Sequence, residues 1–147
     1  MKLATCLFDT QVYIAHKNQV NFQQPGWLSA VVLQELTVGA NGRDELDAFR
    51  ITLHDYAARE RLIVPNEEAW YQAGRILNIY LSDLSRADQQ RRRPGLDHYR
   101  KQNLIRDVLI AVSAKHHGVT VISDNEDFPT IQRYYKFKFI RAKKFFA

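Results

Sequence analysis

Acidic side chains stand at four places in this chain where the neighbouring residues are apolar. Asp9 closes the run KLATCLF, Glu35 sits in SAVVLQEL, Asp107 interrupts RDVLIAVSA, and Asp124 and Asp127 follow VTVIS. A carboxylate withdrawn from water is costly enough that it finds a cation, a set of donors or a metal. If the fold gathers these acids at one edge, their like charges raise one another's pKa unless a hard divalent cation neutralises them. A set of oxygen donors suits Mg²⁺ or Mn²⁺. Zinc wants an organised His/Cys set, and His16, His54, His98, His116 and His117 show no such spacing.

Each acid also has a structural reading. Asp9 stands where a helix N-cap belongs. With Asn103 as a cap, Asp107 lies near a first turn, where the helix dipole stabilises a negative charge by roughly 0.3–1 kcal/mol. On a helical wheel Asp107 shares a stripe with Ala111 and Ala114, which leave room beside a carboxylate. Glu35 points the same way as Val31, Val32 and Val38.

The elements that must position these residues alternate between strand and helix. Strands are expected near 3–8, 62–64, 119–122 and 137–140, the last an edge strand because lysines alternate along KFKFI. Helices are expected from Ser29 to about Gly39, over 44–60 with Leu46, Phe49, Leu53 and Tyr56 inward, and from the Asn66 cap onward. This last helix is expected to bury Trp70, Ala73, Leu77, Tyr80, Leu81 and Leu84, and to give way after Ser85 to a polar loop or frayed helix ending at Pro94-Gly95. The helix carrying Asp107 is apolar on both sides and ends at Gly118, and Asp127 is a cap candidate for a short helix opening at Phe128-Pro129. Residues 18–26 read as loop. The pattern predicts one α/β domain over 1–147, three layers deep, with a mostly parallel sheet of four to five strands covered on both faces. Ligands of such sheets bind at the carboxyl ends of the strands, where Asp9 and the Asp124/Asp127 pair fall.

A chain of 147 residues needs no disulfide or structural metal, since at this size about 68–70% of the unfolded surface is buried. The single cysteine, Cys6, lies in an apolar run and reads as a core residue of a reducing compartment. No apolar stretch reaches membrane length and the N-terminus carries no signal-peptide pattern, so a cytoplasmic location is expected. The formal charge is +5. It is concentrated in Arg86, Arg91, Arg92, Arg93, Arg100, Lys101 and Arg106, and in a tail from Arg133 to Lys144 that contains no acid. Two basic stretches flanking an acidic cluster point to a polyanion held by the former and acted on at the latter; a solvated basic surface is the structural alternative.

Taken in order, FDTQVYI around Asp9, SAVVLQEL around Glu35, RDVLIAVSA around Asp107 and VISDNEDF near Asp127 resemble the motifs of PIN-domain ribonucleases, most closely the small VapC-type toxins, over nearly the whole chain. The resemblance implies a metal-dependent endoribonuclease in which Asp9, Glu35 and Asp107 hold Mg²⁺ or Mn²⁺ with the help of a fourth acid. In the family that acid stands two residues after the Ser/Thr that ends the strand, and here the position is Asn125, a departure that leaves Asp127, or Asp124, to supply the charge. Thr10, Ser123 and Asn125 become polar supports, and Arg91, Arg92, Arg93, Arg100, Lys101 and Arg106 become RNA contacts. A small antitoxin protein and a homodimer are the implied partners.

Two rivals begin from the same residues. An aspartyl phosphotransferase of the dehalogenase type also has Asp after a first strand, but it wants a second Asp where this chain has Gln11. A non-catalytic module binding RNA or protein would use the same acids as caps and ion-pair partners.

Overall fold

The computed structural model describes residues 3–91 and 97–147, with backbone alone over 88–91. Its first strand, β1 (Cys6–Phe8), leads into α1 (Thr10–Ala15), and β2 (Leu28–Ser29) runs directly into α2 (Ala30–Val38). Then follow α3 (Arg43–Ala58), β3 (Leu62–Ile63), α4 (Glu67–Arg91), α5 (His98–His116), β4 (Thr120–Ile122), α6 (Asp127–Gln132), β5 (Phe139–Ile140) and α7 (Ala142–Phe145).

All strand pairs are parallel. β1 pairs with β4 through Leu7 and Val121, and β4 pairs with β5 through Ile122 and Ile140. β2 pairs with β3, and a bridge between Leu7 and Trp27 joins the two groups, giving the order β3-β2-β1-β4-β5. The expected parallel sheet is therefore present with short strands. Residues 3–5, expected in the first strand, form a turn of 3-10 helix instead. β2 escapes a periodicity argument because its two residues precede a helix without any alternation. Gly26 makes the join possible: its φ is +143°, and a Cβ there would stand 3.1 Å from the Leu3 carbonyl oxygen.

Alternation along the strands sorts the core into two layers. Leu7 and Val121 face the larger cluster, which holds Leu28, Val32, Tyr56, Ile63, Ala73 and the α5 residues Val108 to Val112. Cys6, Phe8 and Ile122 face the smaller one, with Val12, Val20 and Ala142 and the flanking rings of Phe145 and Phe146. The three layers predicted from the sequence follow directly.

Three expectations need correction. α4 buries Ala69, Ala73 and Ile76, while Trp70 is 58% exposed and Tyr71 67%. Asn66 caps the helix as expected, its Oδ1 accepting from the Ala69 amide at 2.9 Å, but small side chains form the stripe against α5, and Trp70 lies about 100° around the helix from Ala69. Of the polar loop and the frayed helix expected after Ser85, the loop needs correction, since α4 continues as helix to Arg91. Finally, α5 begins at His98 with Asp97 as its cap, the Asp97 carboxylate accepting from the Arg100 amide at 2.8 Å. Asp107 therefore lies well inside the helix. The dipole explanation, which fades beyond the first turn, does not account for it.

Among the described residues no helix is long and apolar enough to cross a membrane.

Candidate active site

The carboxyl edge of the sheet delivers the acids. Asp9 follows β1 with its amide donating to the Ile122 carbonyl at 3.1 Å, which ties it to the end of β4. Its side chain is 3% exposed and accepts twice, from the Thr10 amide and from the Ser123 hydroxyl, both at 2.8 Å. The same carboxylate thus caps α1 and is tied to the end of β4. Ser123, fully buried, accepts in turn from the Asn125 amide at 2.9 Å. Asn125 then links two acids: its Nδ2 donates to Asp107 Oδ2 at 3.1 Å, and its Oδ1 accepts from the Asp127 amide at 2.9 Å.

Asp9, Glu35, Asp107 and Asp127 line one cavity of about 270 Å³, together with Thr10, Gln11, Tyr99, Asn103 and Asn125. Asp127 is the first residue of α6 and makes no side-chain cap, contrary to the cap expected of it. Asp124, the other candidate for the fourth acid, is turned elsewhere. It accepts from the Lys143 amide at 3.1 Å, stands 3.9 Å from His16 Nε2, and lines a neighbouring cavity. Of the pair, Asp127 faces the acid cavity.

The electrostatics are those of crowded negative charge. Burial, and after it the charge of Asp9, pushes the Asp107 carboxyl up to about 10, with Asp127 and Glu35 adding to the effect. Burial also raises Asp9, against the hydrogen bonds from Ser123 and Thr10. Glu35 is raised by burial and by Asp9, while the Arg106 charge and the nearby Thr10 oppose. No cation is paired with Asp9 or Asp107 among the described residues. Among the described residues, Glu35 Oε1 and Thr10 Oγ1 are buried and find no hydrogen-bond partner.

A hard divalent ion fits this donor set. It would supply the positive charge that buried Asp9 and Asp107 lack, and it would give Glu35 Oε1 the partner it is missing. Among the described residues no three His, Cys, Asp or Glu side chains are grouped so that they could hold a metal ion as they stand, although four acids share the cavity. Mg²⁺ keeps several waters and takes one or two carboxylates plus substrate phosphate, so it would not need such a group.

The basic residues divide. Arg100 lines a small cavity that shares Asn103 and Asp127 with the acid cavity, and Lys101 is exposed. Arg106 is half-buried, donating from Nη2 to Asn103 Oδ1 at 2.8 Å beside the acids. Arg92 and Arg93 lie outside the described residues, as does the side chain of Arg91. In the tail, Lys136 and Lys138 line a cavity of about 370 Å³ with Lys115 at the amino end of β4, the opposite edge from the acids. Arg141 is held by Glu126 at 2.7 Å. These tail positions do not face the acid cavity.

Tyr99, Asn103 and Gln11 line the cavity without having been singled out from the sequence. A signal existed for two of them. Tyr99, Asn103 and Asp107 recur every fourth residue, and they share a helix face once α5 is known to start at His98.

The PIN domain family model matches residues 7–134. No curated protein matches the chain. Among solved structures, the chain is similar to a member of the VapBC family of toxin-antitoxin systems, VapBC-5 from Mycobacterium tuberculosis, at 24% identity over 94% of this chain and 98% of that one, with a TM-score of 0.56. It is also similar to a DNA-bound VapBC from Salmonella typhimurium, at 18% identity over 97% and 99% of the two chains and a TM-score of 0.54. At these identities the structures speak for the fold, and the family match over most of the length carries the assignment. With the parallel sheet and the acids at its carboxyl edge, the chain belongs to the PIN-domain family of nucleases.

Proposed function

We propose that this protein is a metal-dependent endoribonuclease and the toxin of a toxin-antitoxin pair, with Asp9, Glu35, Asp107 and Asp127 as the acids that hold Mg²⁺ or Mn²⁺. The observation that carries the reading is the convergence of these four residues, far apart in sequence, on one cavity in which Asp107 is almost fully buried with no cation paired to it among the described residues. A bound divalent ion supplies charge neutralisation and polarises water and phosphate.

The chain's own residues do the rest. Ser123 and the Thr10 amide fix the Asp9 carboxylate, so its orientation does not depend on the ion. Asn125 fixes Asp107 and positions the start of α6, which brings Asp127 to the cavity. Burial of the acids excludes bulk water from their rear, which strengthens every charge interaction inside. The reaction is phosphodiester hydrolysis: a water oxygen bonds to phosphorus, the bond to the leaving oxygen breaks, and the leaving oxygen takes up a proton. Arg100 and Lys101 supply attraction for RNA, which makes binding salt-dependent. The similarity to VapBC structures, one of them described as a toxin-antitoxin system, supports a small antitoxin protein as partner, and a homodimer accords with the same reading.

The test is cleavage of total RNA with and without Mg²⁺, beside Asp107→Asn. Metal-dependent fragments from the wild type, absent in the variant, are expected. Equal cleavage by both would remove Asp107 from the site.

A second reading, a module that binds RNA or protein without cutting it, is favoured by Asn125, a neutral amide in place of the family's fourth acid. In that case Mg²⁺ changes neither the melting temperature nor the RNA.

A further inference from the structure

The amino edge of the sheet, opposite the acids, carries a second charged feature. A cavity of about 370 Å³ lies there between the end of α5 and the approach to β5, lined by Gly118, Val119 and Phe137 and by three lysines, Lys115, Lys136 and Lys138. The stretches 108–123 and 128–147 that supply it contain neither Asp nor Glu, and none of the three lysines is in an ion pair among the described residues. Structural readings account for part of this. Lys115 lies in the last turn of α5, where the dipole favours a cation, and lysines along an edge strand discourage further pairing. Neither reading brings three lysines, from segments 21 residues apart, around one cavity. Lys115 is also fixed: its Nζ donates to the Lys136 carbonyl at 2.6 Å and stands 5.3 Å from the centre of the Tyr135 ring. One of its three N–H groups is used in this way and two are left, so the ammonium is preorganised to meet an anion.

A route joins this edge to the acids. α6 connects the end of β4 to the start of β5, and because these strands are parallel it returns the chain from the carboxyl edge to the amino edge. It starts at Asp127, which lines the acid cavity, and Arg133 follows its last residue. Arg133, Lys136 and Lys138 are exposed along the way. Asp83, which neighbours Tyr134, is already paired with Arg86 at 2.8 Å. The distance is short. Lys115 is eight residues past Asp107 on α5, about 12 Å along the helix axis.

We infer that the amino-edge cavity is a second phosphate-binding site for the RNA cut at the acids, reached along α6 and holding the strand by Lys115, Lys136 and Lys138. Acids repel a polyanion, so a contact remote from them lets affinity come from phosphates that do not react. Cleavage then depends on RNA length, because a strand too short to leave the acid cavity gains nothing from the lysines. The inference rests on the nuclease reading above and adds where the rest of the substrate lies.

The experiment measures binding by fluorescence anisotropy of an end-labelled RNA of about 20 nucleotides over a series of salt concentrations, in Ca²⁺ rather than Mg²⁺. The proteins are the wild type, Lys136→Gln combined with Lys138→Gln, Lys136→Arg combined with Lys138→Arg and, as a control for net charge, Arg43→Gln combined with Arg50→Gln. The control sites lie on α3, which packs on β3 at the other end of the sheet from β5. Lys115 stays in place because it also ties α5 to the chain before β5. The glutamine pair at 136 and 138 is expected to flatten the slope of log Kobs against log salt by about 1.4, at about 0.7 per phosphate contact, and to weaken binding roughly tenfold at about 0.15 M salt. The arginine pair and the α3 control should match the wild type. In Mg²⁺, cleavage of the same RNA should fall with its binding, while that of an RNA of about four nucleotides keeps the wild-type rate. Wild-type slope and affinity in the glutamine pair, an equal loss in the α3 control, or an equal loss of cleavage for the short RNA overturns the second site while the nuclease reading stands. So does a loss of poly-glutamate binding with RNA binding intact, which would assign this edge to an acidic protein segment. A wild type that neither binds nor cleaves RNA overturns both.

Discussion

Asn125 donates its side-chain amide to Asp107 Oδ2 at 3.1 Å, so the residue standing in place of the family's fourth acid holds one of the other three. An amide there suits the metal-free protein: it gives a buried carboxyl a donor and adds no charge to a crowded pocket. Asn125→Asp reverses that choice. Without metal, the variant loses the hydrogen bond and gains a like charge, and it is expected to be less stable by about 1–3 kcal/mol. If the acids hold Mg²⁺ as proposed, the extra acid is expected to become a further ligand. The melting-temperature gain on adding Mg²⁺ should therefore be larger in Asn125→Asp than in the wild type. An equal gain in both would mean that position 125 does not face the ion.

The raised carboxyls make stability depend on pH in a definite direction. Asp107 titrates near 3.8 when unfolded and is pushed up to about 10 in the native protein, so between these values the native state binds a proton that the unfolded state has lost. Stability is then fully present below the unfolded value and falls as pH rises toward the native one, by up to about 1.4 kcal/mol per pH unit for one group. Asp9 and Glu35 are raised as well and add in the same direction. Metal-free protein unfolded by urea at a series of pH values should lose stability from acid to neutral pH, with Asp107→Asn giving a flatter profile. A wild-type profile that rises over this range would contradict the burial of uncompensated acids.

How far this pocket was legible in the sequence depended on where each helix was taken to begin. The clusters around Asp9, Glu35, Asp107 and Asp127 were readable because each places an acid against an apolar run, and the parallel sheet followed from the strand and helix alternation. The start of α5 was not, because Asn103 and Asp97 are equally good caps by type, and nothing in the local pattern prefers Asp97, the cap that the helix uses. That one ambiguity hid Tyr99 and made the dipole explanation of Asp107 attractive. Trp70 was misplaced for a related reason: Ala69, Ala73 and Ile76 form a less conspicuous stripe than the aromatic residues beside them, yet smaller side chains let α4 pack closely on α5. The division between Asp124 and Asp127 depends on α7 crossing over Asp124, a contact from the far end of the chain that no local pattern encodes.

Ser123→Ala tests whether Asp9 needs its neighbour. The hydroxyl is fully buried, donates to Asp9 and accepts from the Asn125 amide, so its removal leaves one buried and one half-buried polar group short of a partner. A loss of about 1–3 kcal/mol in urea unfolding is expected. Because the bond from Ser123 holds the Asp9 pKa down, the variant should also protonate Asp9 more readily. RNA cleavage should then fall most at the acid end of the pH range, whereas a purely structural loss would lower activity evenly at all pH values.

Gly26 connects the fold to the chemistry across a longer distance. It precedes Trp27, whose amide donates to the Cys6 carbonyl at 3.0 Å and whose bridge to Leu7 fastens β2 beside β1. β2 runs straight into α2, and α2 carries Glu35, so the place of Glu35 relative to Asp9 is set by this join. Alanine at position 26 has to hold a φ near +143° with its Cβ 3.1 Å from the Leu3 carbonyl oxygen, both unfavourable for an L side chain. Gly26→Ala is expected to cost about 1–3 kcal/mol, as residues forced into such backbone regions do. It should also reduce the stabilisation by Mg²⁺, since α2 shifts with its strand. Gly42→Ala is the control: its φ is +89° with nothing within 4 Å of an added Cβ, and it sits at the start of α3, away from the acids. It should lower the melting temperature through backbone strain alone and keep the full Mg²⁺ response. The same loss of that response in both variants would mean that it tracks overall stability and not the seating of α2.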